Sequence, residues 1–243
     1  SISDALCSSI SSNLLLLVVS IMIKYPDIDP IAISIPLPEF LHTFLGEALN
    51  IYWYGIAYVL GAYLIYLRMV ATRDIFKINL SKDDVSDVVF TYGLFLGAIV
   101  GGRLGHVIFY DFHLQLQDPL YFLKIWQGGM SFHGGLIGVM ASMWVFSRNK
   151  GYTFFQITDW VAPQVPIALC LGRIANFINA ELYGRATEVP WGMIFPSDPL
   201  GLVRHPSQIY EALLEGVLLF IFLNFFIKST NKPGRHSAYF LIG

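Results

Sequence analysis

Residues 172–185 read GRIANFINAELYGR, and this stretch places two arginines, two asparagines and a glutamate directly after a long apolar run. The run, residues 157–171, is long enough together with the start of the motif to lie inside a bilayer. An ionisable side chain there costs several kcal/mol unless it is paired or hydrated, so Arg173 and Asn176 indicate a functional site. The alternative for Arg173 alone is that its long side chain reaches the membrane surface from a helix end.

The composition of the chain is that of a membrane protein. Of its 243 residues, 55% are hydrophobic and 13% are charged, whereas soluble domains carry about 25% charged residues. The net charge is −2, and no run of basic residues suggests a nucleic-acid partner. Cys7 and Cys170 are too few and too far apart for a disulfide framework or a CxxC redox site.

Five apolar segments are each close to the roughly 20 residues that a membrane-spanning helix needs. They are residues 51–70, 88–110, 130–146, 154–177 and 209–227, and residues 241–243 begin a sixth. Nine of the fifteen Lys and Arg residues follow the first, third and fifth segments, so the positive-inside rule puts those loops in the cytoplasm and the N-terminus outside. The sequence therefore predicts an all-α fold, a polytopic transmembrane helix bundle with five spans and the start of a sixth.

This orientation puts the unusual polar residues of four helices at a similar depth, in the outer half of the membrane. Arg103, about fifteen residues into an outward-running helix, lies roughly 22 Å across a core of about 30 Å. The set consists of Tyr54, Arg103, His133, Arg173 and Asn176. A shared site explains the common depth better than the alternative, scattered polar contacts between helices.

Two glycine series predict close helix packing. Gly93, Gly97 and Gly101 recur at every fourth residue, and Gly134 and Gly138 do the same. Each series presents a small face that lets a neighbouring helix approach closely.

Four motifs stand in order along the chain. They are WYG at residues 53–55, FHGGLIG at 132–138, GRIANFINAELYG at 172–184 and HPSQIYE at 205–211. Together they resemble the prolipoprotein diacylglyceryl transferases of bacterial plasma membranes. The likeness extends from about residue 25 to residue 243, and the third motif, GRxxNFxNxExxG, is long and specific.

The resemblance implies a reaction and its partners. The diacylglyceryl group of phosphatidylglycerol is transferred to the lipobox cysteine of a preprolipoprotein, and glycerol phosphate is released. The implied partners are phosphatidylglycerol, the preprolipoprotein signal peptide and the surrounding membrane lipids, with no nucleic acid. The implied location is the bacterial plasma (inner) membrane, with a multi-pass topology and an active site toward the periplasmic or extracytoplasmic face.

The resemblance also assigns residues. The family's functional positions carry over to His133, Arg173, Asn176 and Tyr54, and Glu181 and Gly184 match the long motif. We therefore expect His133, Arg173 and Tyr54 to be catalytic. The residues expected to contact phosphatidylglycerol are Arg173, Asn176, Arg103, Glu181 and Gly184.

Elementary chemistry supports two of these roles. The substrate thiol must lose its proton because the thiolate is the nucleophile, and a neutral imidazole at His133 can take that proton. Negative charge grows on the phosphate as its carbon–oxygen bond breaks, and a planar guanidinium fits phosphate oxygens. Arg173 is the first choice for this contact and Arg103 the second. The alternatives are that His133 only hydrogen-bonds a neighbouring helix and that Tyr54 belongs to an aromatic belt.

The remaining polar residues have local expectations. Asn176 lies one helical turn from Arg173, so both can face the lipid headgroup, or Asn176 can satisfy backbone groups near a helix end. Glu181 is expected to pair with Arg185 or another outer arginine. Ser207 is a candidate cap for the helix that follows Pro206.

The scheme requires no metal or organic cofactor, because phosphate is a competent leaving group and no histidine and carboxylate cluster has ligand spacing. A membrane transporter for a small anionic solute is the main alternative, yet it would show internal repeats that the chain lacks. An intramembrane protease needs a nucleophile and a base within reach of each other. Ser131 and His133 do not satisfy that need, because residues two apart on a helix point away from each other.

The ends of the chain raise two expectations. Residues 1–21 precede Met22 and contain an apolar run too short to span a membrane, so we expect a non-native or upstream extension. Residues 22–243 are expected to form a single integral membrane catalytic domain. The family continues beyond this point with a further functional arginine, so the resemblance indicates a C-terminal truncation.

Overall fold

The computed structural model describes residues 23–26, 28–42, 47–124, 128–227 and 232–242, so the expected upstream extension, residues 1–21, lies outside the described residues. Most of the described chain is helical. The α-helices are α1 (Trp53–Thr72), α2 (Lys82–Ser86), α3 (Gly101–Phe109), α4 (Phe112–Gln117), α5 (Phe132–Asn149), α6 (Phe154–Val161), α7 (Val165–Ile178), α8 (Ser207–Glu211), α9 (Leu219–Ile227) and α10 (Arg235–Ile242). Wider π-helical turns cover Asp87–Val100 and Ala212–Leu218, and 3₁₀ turns cover Glu39–Leu41, Tyr121–Leu123 and Ala162–Gln164.

Four helical stretches in the described part of the chain are long and apolar enough to cross a membrane. They are Trp53–Thr72, Lys82–Phe109, Phe154–Ile178 and Ser207–Phe225. They correspond to the first, second, fourth and fifth predicted spans. The third predicted span forms the 18-residue helix α5, which is not among the four. A mostly helical, polytopic membrane protein is therefore confirmed, whereas five spans, the start of a sixth and an outer N-terminus stay predictions.

The all-α description is incomplete, because five short strands form as well in the part of the chain that the structure describes. They are β1 (Ile23–Lys24), β2 (Ile31–Pro36), β3 (Ala48–Tyr52), β4 (Met193–Ile194) and β5 (Val203–Arg204). β4 pairs in parallel with β1 and antiparallel with β5, while β2 and β3 form an antiparallel pair. The sequence signal for β2 was the alternation of Ile31, Ile33 and Ile35, since β-branched residues at every second position favour a strand.

The chain divides into two compact units. The first unit takes in the chain up to Ala57 together with Cys170–Leu214, and the second consists of Tyr58–Leu169 and Glu215–Gly243. The first unit carries all five strands and the end of α7. The second unit carries α5, α6 and most of the other helices.

In the first unit, Tyr25 fixes the end of α7. Its ring packs against Phe177 and Phe195, with 5.3 Å between ring centroids in each pair. Its hydroxyl lies 2.7 Å from the carbonyl oxygen of Phe177 and 2.8 Å from that of Ile178. The last carbonyls of a helix have no partner within the helix, so this hydroxyl stabilises the end that carries Arg173 and Asn176.

In the second unit, glycines allow α5 to pack backbone to backbone against α3 and the π-helical turns before it. A Cβ atom on Gly101 would lie 2.7 Å from the carbonyl oxygen of Gly134 and 2.8 Å from the Cα atom of Gly138. A Cβ atom on Gly97 would lie 2.7 Å from Val139 Cγ2. Any larger side chain would force the helices apart, so the packing role predicted for these glycines is confirmed.

Candidate active site

Asn176, in the last turn of α7, is the centre of a polar cluster in the first unit. The residue is 4% exposed. Its Nδ2 atom donates one hydrogen bond to the Tyr54 hydroxyl and another, of 2.9 Å, to Glu181 Oε1. Its backbone carbonyl accepts a hydrogen bond of 3.0 Å from the Glu181 amide. Three residues that the sequence predicted for the site therefore contact one another through a single amide.

The chain makes a strained turn directly after α7. Ala180 and Leu182 both have φ of 54°, in the left-handed region that non-glycine residues seldom occupy. Each such residue costs about 1–2 kcal/mol. The turn brings Glu181 back to Asn176, and strain of this kind is often found at functional sites.

Helix α8 holds this turn in place. Gln208, which is fully buried, donates a hydrogen bond of 2.6 Å from Nε2 to the carbonyl of Glu181. The Ser207 hydroxyl donates to the carbonyl of Leu182 at 3.0 Å. The prediction that Ser207 caps its own helix is wrong: Pro206 occupies the cap position, and the Ser207 hydroxyl is directed to the turn instead.

Gly184 is required by a close approach to His205. The Gly184 amide donates a hydrogen bond of 2.9 Å to the His205 carbonyl. A Cβ atom on Gly184 would lie 2.9 Å from His205 Cβ and 3.1 Å from that carbonyl oxygen. A side chain at this position would therefore push the HPSQIYE segment away from the turn.

Arg173 forms an ion pair with Glu211. The distance from Arg173 Nε to Glu211 Oε2 is 2.7 Å, and the two side chains are 30% and 31% exposed. The sequence motif contained Glu211, but no role was predicted for it. The available signal was its spacing, since Gln208 and Glu211 lie three residues apart on one face of α8.

Glu181, for which the sequence suggested an arginine partner, accepts its hydrogen bond from Asn176.

Outside the helices, a second ion pair supports the same unit. Arg204 Nε and Nη2 donate to Asp198 Oδ2 and Oδ1 at 2.8 and 3.1 Å. These hydrogen bonds lower the pKa of the Asp198 carboxyl to about 2. The pair closes the loop that leads to the HPSQIYE segment.

Arg103 lies in the second unit and is 2% exposed. Its guanidinium donates to the backbone carbonyls of Tyr121 at 3.0 Å, Phe122 at 3.3 Å and Gly129 at 3.4 Å, and also to that of Gly128. It also lies over the Tyr121 ring, 4.9 Å from the centroid. These four hydrogen bonds are all donated to backbone carbonyls, which favours a structural role for Arg103 over a phosphate contact.

The loop that Arg103 holds has a further anchor at Asp111. Asp111 Oδ2 accepts a hydrogen bond of 2.8 Å from the Tyr121 hydroxyl and lies 3.1 Å from His106 Nε2. The Tyr121 hydrogen bond is the main reason why the pKa of the Asp111 carboxyl is below its usual value, and His106 adds to the effect. Both anchors restrain the segment that leads to His133.

His133 is the second residue of α5 and is exposed. Its ring meets that of Phe132 edge to face, with 5.8 Å between centroids. The Ser131 hydroxyl caps α5 by accepting a hydrogen bond of 3.2 Å from the Gly134 amide. Ser131 is therefore a helix cap, and nothing in its geometry favours a hydrolase nucleophile.

The predicted site residues fall into both units. Those in the first unit are Tyr54, Arg173, Asn176, Glu181 and Gly184, and those in the second are Arg103 and His133. The shared pocket predicted for all of them stays a prediction. Among the residues that the structure describes, no group of three His, Cys, Asp or Glu side chains is placed to hold a metal ion.

Comparison with known proteins points to one family. The family model described as prolipoprotein diacylglyceryl transferase matches residues 42–243. The chain is 49% identical over 222 residues to the phosphatidylglycerol–prolipoprotein diacylglyceryl transferase of Ectopseudomonas mendocina, covering 90% of the chain and 77% of that relative. The proteins of the same name from Azotobacter vinelandii and Vibrio parahaemolyticus are 49% and 46% identical, covering 91% of the chain and 78% and 76% of those relatives.

Proposed function

The chain belongs to the prolipoprotein diacylglyceryl transferase family, and on that premise we propose that it transfers the diacylglyceryl group of phosphatidylglycerol to a preprolipoprotein. The protein is a transferase of lipoprotein biosynthesis. The single observation that carries this function is the match to relatives of that name over nine-tenths of the chain. The same match favours the transferase over the alternative, an anion transporter.

Arg173 is the proposed contact of the phosphatidylglycerol phosphate. Its guanidinium is partly accessible, and it forms an ion pair with the carboxylate of Glu211, which a phosphate can replace. Besides Glu211 Oε2, which faces Arg173, two buried side-chain oxygens of the same unit, Asn179 Oδ1 and Gln208 Oε1, have no hydrogen-bond partner among the described residues. Buried acceptors without a partner are costly, and the glycerol hydroxyls of a headgroup are donors of the kind that would satisfy them.

The proposed reaction has one bond-forming and one bond-breaking event. The thiolate of the lipobox cysteine attacks the diacylglycerol carbon that is joined to phosphate, forming a thioether. The carbon–oxygen bond breaks, and its electron pair leaves with glycerol phosphate. His133 accepts the thiol proton, since the thiolate is the nucleophile. Arg173 stabilises the charge that grows on the leaving phosphate.

The other site residues position this machinery. Tyr54 and Glu181 orient the amide of Asn176 through its two donors, and Gly184 permits the close packing of the HPSQIYE segment. Arg103, first predicted to contact the lipid, is now proposed to hold the loop that precedes His133. No metal or organic cofactor enters the scheme.

The membrane setting of the reaction is part of the proposal. The protein is proposed to lie in the bacterial inner membrane with five spans, the start of a sixth and an outer N-terminus, and with its site toward the extracytoplasmic face. Residues 22–243 would belong to one catalytic domain. The substrates are phosphatidylglycerol and a signal peptide with a lipobox cysteine, both of which reach the site from the surrounding lipid.

The experiment uses the purified full-length protein in vesicles with radiolabelled phosphatidylglycerol and a lipobox peptide. The wild type is expected to label the peptide and release glycerol phosphate. His133→Gln removes the proposed base and is expected to reduce turnover by about 10²–10⁴-fold. His113→Gln, on the exposed helix α4, is the matched control and should remain close to wild type. An unlabelled peptide with the wild type contradicts the function, and normal turnover of His133→Gln contradicts the role of His133.

A further inference from the structure

An apolar groove lies along one face of α5 in the second unit. It is lined by Ile137, Met140, Ala141 and Trp144 of α5 and by Phe154 at the start of α6, and its volume is about 400 Å³. The four α5 residues are spaced i, i+3, i+4 and i+7, so they share one face of the helix. Ile137 and Trp144 are 63% and 52% exposed, which leaves the groove open to its surroundings.

One end of the groove carries a positive charge. Arg148 lies one turn beyond Trp144, and its guanidinium is 5.6 Å from the centroid of the Trp144 ring. The neighbouring Lys150 differs, because its amino group is paired with the carboxylate of Asp84. Among the residues that the structure describes, no carboxylate forms an ion pair with Arg148. The charge of Arg148 is therefore available to a ligand, whereas that of Lys150 is largely neutralised.

We infer that this groove binds an anionic phospholipid, with an acyl chain along Ile137–Trp144 and the phosphate at Arg148. The lining is apolar apart from the indole N–H of Trp144, so it suits a hydrocarbon chain. A guanidinium matches phosphate oxygens, and tryptophan prefers the level of the lipid headgroups. Arg148 therefore selects an anionic headgroup, while the groove holds the acyl chain.

This site is separate from the proposed catalytic residues of α5. His133 and Arg148 are fifteen residues apart on the same helix, which corresponds to roughly 22 Å along its axis. With the proposed orientation, Arg148 lies at the cytoplasmic surface, so the bound lipid belongs to the inner leaflet. The inference requires a membrane-embedded protein but not the transfer reaction, and the two can fail independently.

The test uses Trp144 as an internal probe. Protein is placed in nanodiscs of phosphatidylcholine that contain increasing fractions of brominated phosphatidylglycerol or of brominated phosphatidylethanolamine. Bromine quenches tryptophan on contact, and the part of the quenching that disappears in Trp144→Phe is assigned to Trp144. Half-maximal quenching of Trp144 should require roughly fivefold less brominated phosphatidylglycerol than brominated phosphatidylethanolamine. This is the factor expected for one basic residue near an anionic lipid.

Two charge variants make the test specific. Arg148→Gln should remove the preference, so that both brominated lipids quench Trp144 equally. Lys150→Gln is the matched control and should keep the preference for phosphatidylglycerol, because the carboxylate of Asp84 already neutralises the charge of Lys150. Equal quenching by the two lipids in the wild type would show an ordinary lipid boundary and overturn the inference. A preference that survives in Arg148→Gln, or is lost in Lys150→Gln, would overturn the assignment to Arg148.

Discussion

Arg103 in the second unit and Arg173 in the first are the two arginines that the sequence placed at the same membrane depth, and the structure gives them opposite surroundings. Arg103 is 2% exposed and donates to backbone carbonyls of one loop. Arg173 has a side chain that is 30% exposed and pairs with the carboxylate of Glu211. The backbone cannot release Arg103 without unfolding the loop, whereas a carboxylate can be exchanged for a phosphate.

The difference shows what makes an intramembrane arginine available for chemistry. A guanidinium has five donors, and Arg103 makes four of its donor contacts to carbonyls that belong to the fold. Arg173 instead forms an ion pair with a charged side chain, that of Glu211, which is the last residue of a separate helix, α8. An exchangeable partner and partial access therefore favour a ligand contact, and burial against backbone favours a structural role.

Within the comparison of the two arginines, the largest expected effect is that of Arg173→Ala. Removing one group that stabilises the charge of a transition state typically costs about 10²–10³-fold in turnover. We expect a loss of this size in the labelled-lipid assay, with a thermal midpoint close to that of the wild type. Arg173→Lys should recover only part of the activity, because an ammonium lacks the planar fork. Turnover near the wild-type value in Arg173→Ala would remove the proposed phosphate contact.

Arg103→Gln should show the opposite pattern. The change leaves several buried carbonyls without a donor, which costs about 2–4 kcal/mol of stability. The thermal midpoint in detergent should fall clearly, while turnover per folded molecule at low temperature stays within about threefold of the wild type. A full loss of turnover with an unchanged thermal midpoint would place Arg103 in contact with substrate and erase the contrast with Arg173.

Glu211→Gln tests whether the partner of Arg173 competes with phosphate. Both side chains are about one-third exposed, so solvent weakens their interaction and the pair contributes only about 1 kcal/mol. Removing the negative charge should therefore tighten inhibition by glycerol phosphate by roughly fivefold, measured as a lower inhibition constant. Glu188→Gln, at an exposed loop position, is the matched control. An unchanged inhibition constant in Glu211→Gln would show that the carboxylate does not compete.

The sequence predicted the helices, the glycine packing and the polar residues of the long motif, because these depend on local pattern. It did not predict the roles of Arg103 and Glu211, because both depend on which distant groups lie nearby. Arg103 contacts carbonyls up to 26 residues away, and Glu211 contacts a residue on another helix. The strands were missed for a different reason: the alternation of Ile31, Ile33 and Ile35 was present, but it stood beside much stronger helical signals.

The smallest expected effect concerns the pair of Arg204 and Asp198. This pair is largely buried, as Arg103 is, and it is an ion pair, as that of Arg173 is. Its carboxylate is 1% exposed while its guanidinium is 18% exposed, so this ion pair is better shielded than that of Arg173. The pKa of Asp198 is about 2 in the folded protein, below the ordinary value of 3.8. A lowered pKa stabilises the folded state fully above the ordinary value, and this contribution is lost as pH falls through about 2. Asp198→Asn should accordingly lower the thermal midpoint at pH 7. The difference in thermal midpoint between the variant and the wild type should shrink between about pH 4 and pH 2. The other carboxylates titrate equally in both proteins, so they do not contribute to this difference. A difference that stays constant over this interval would show that Asp198 acts through its shape alone and not through its charge.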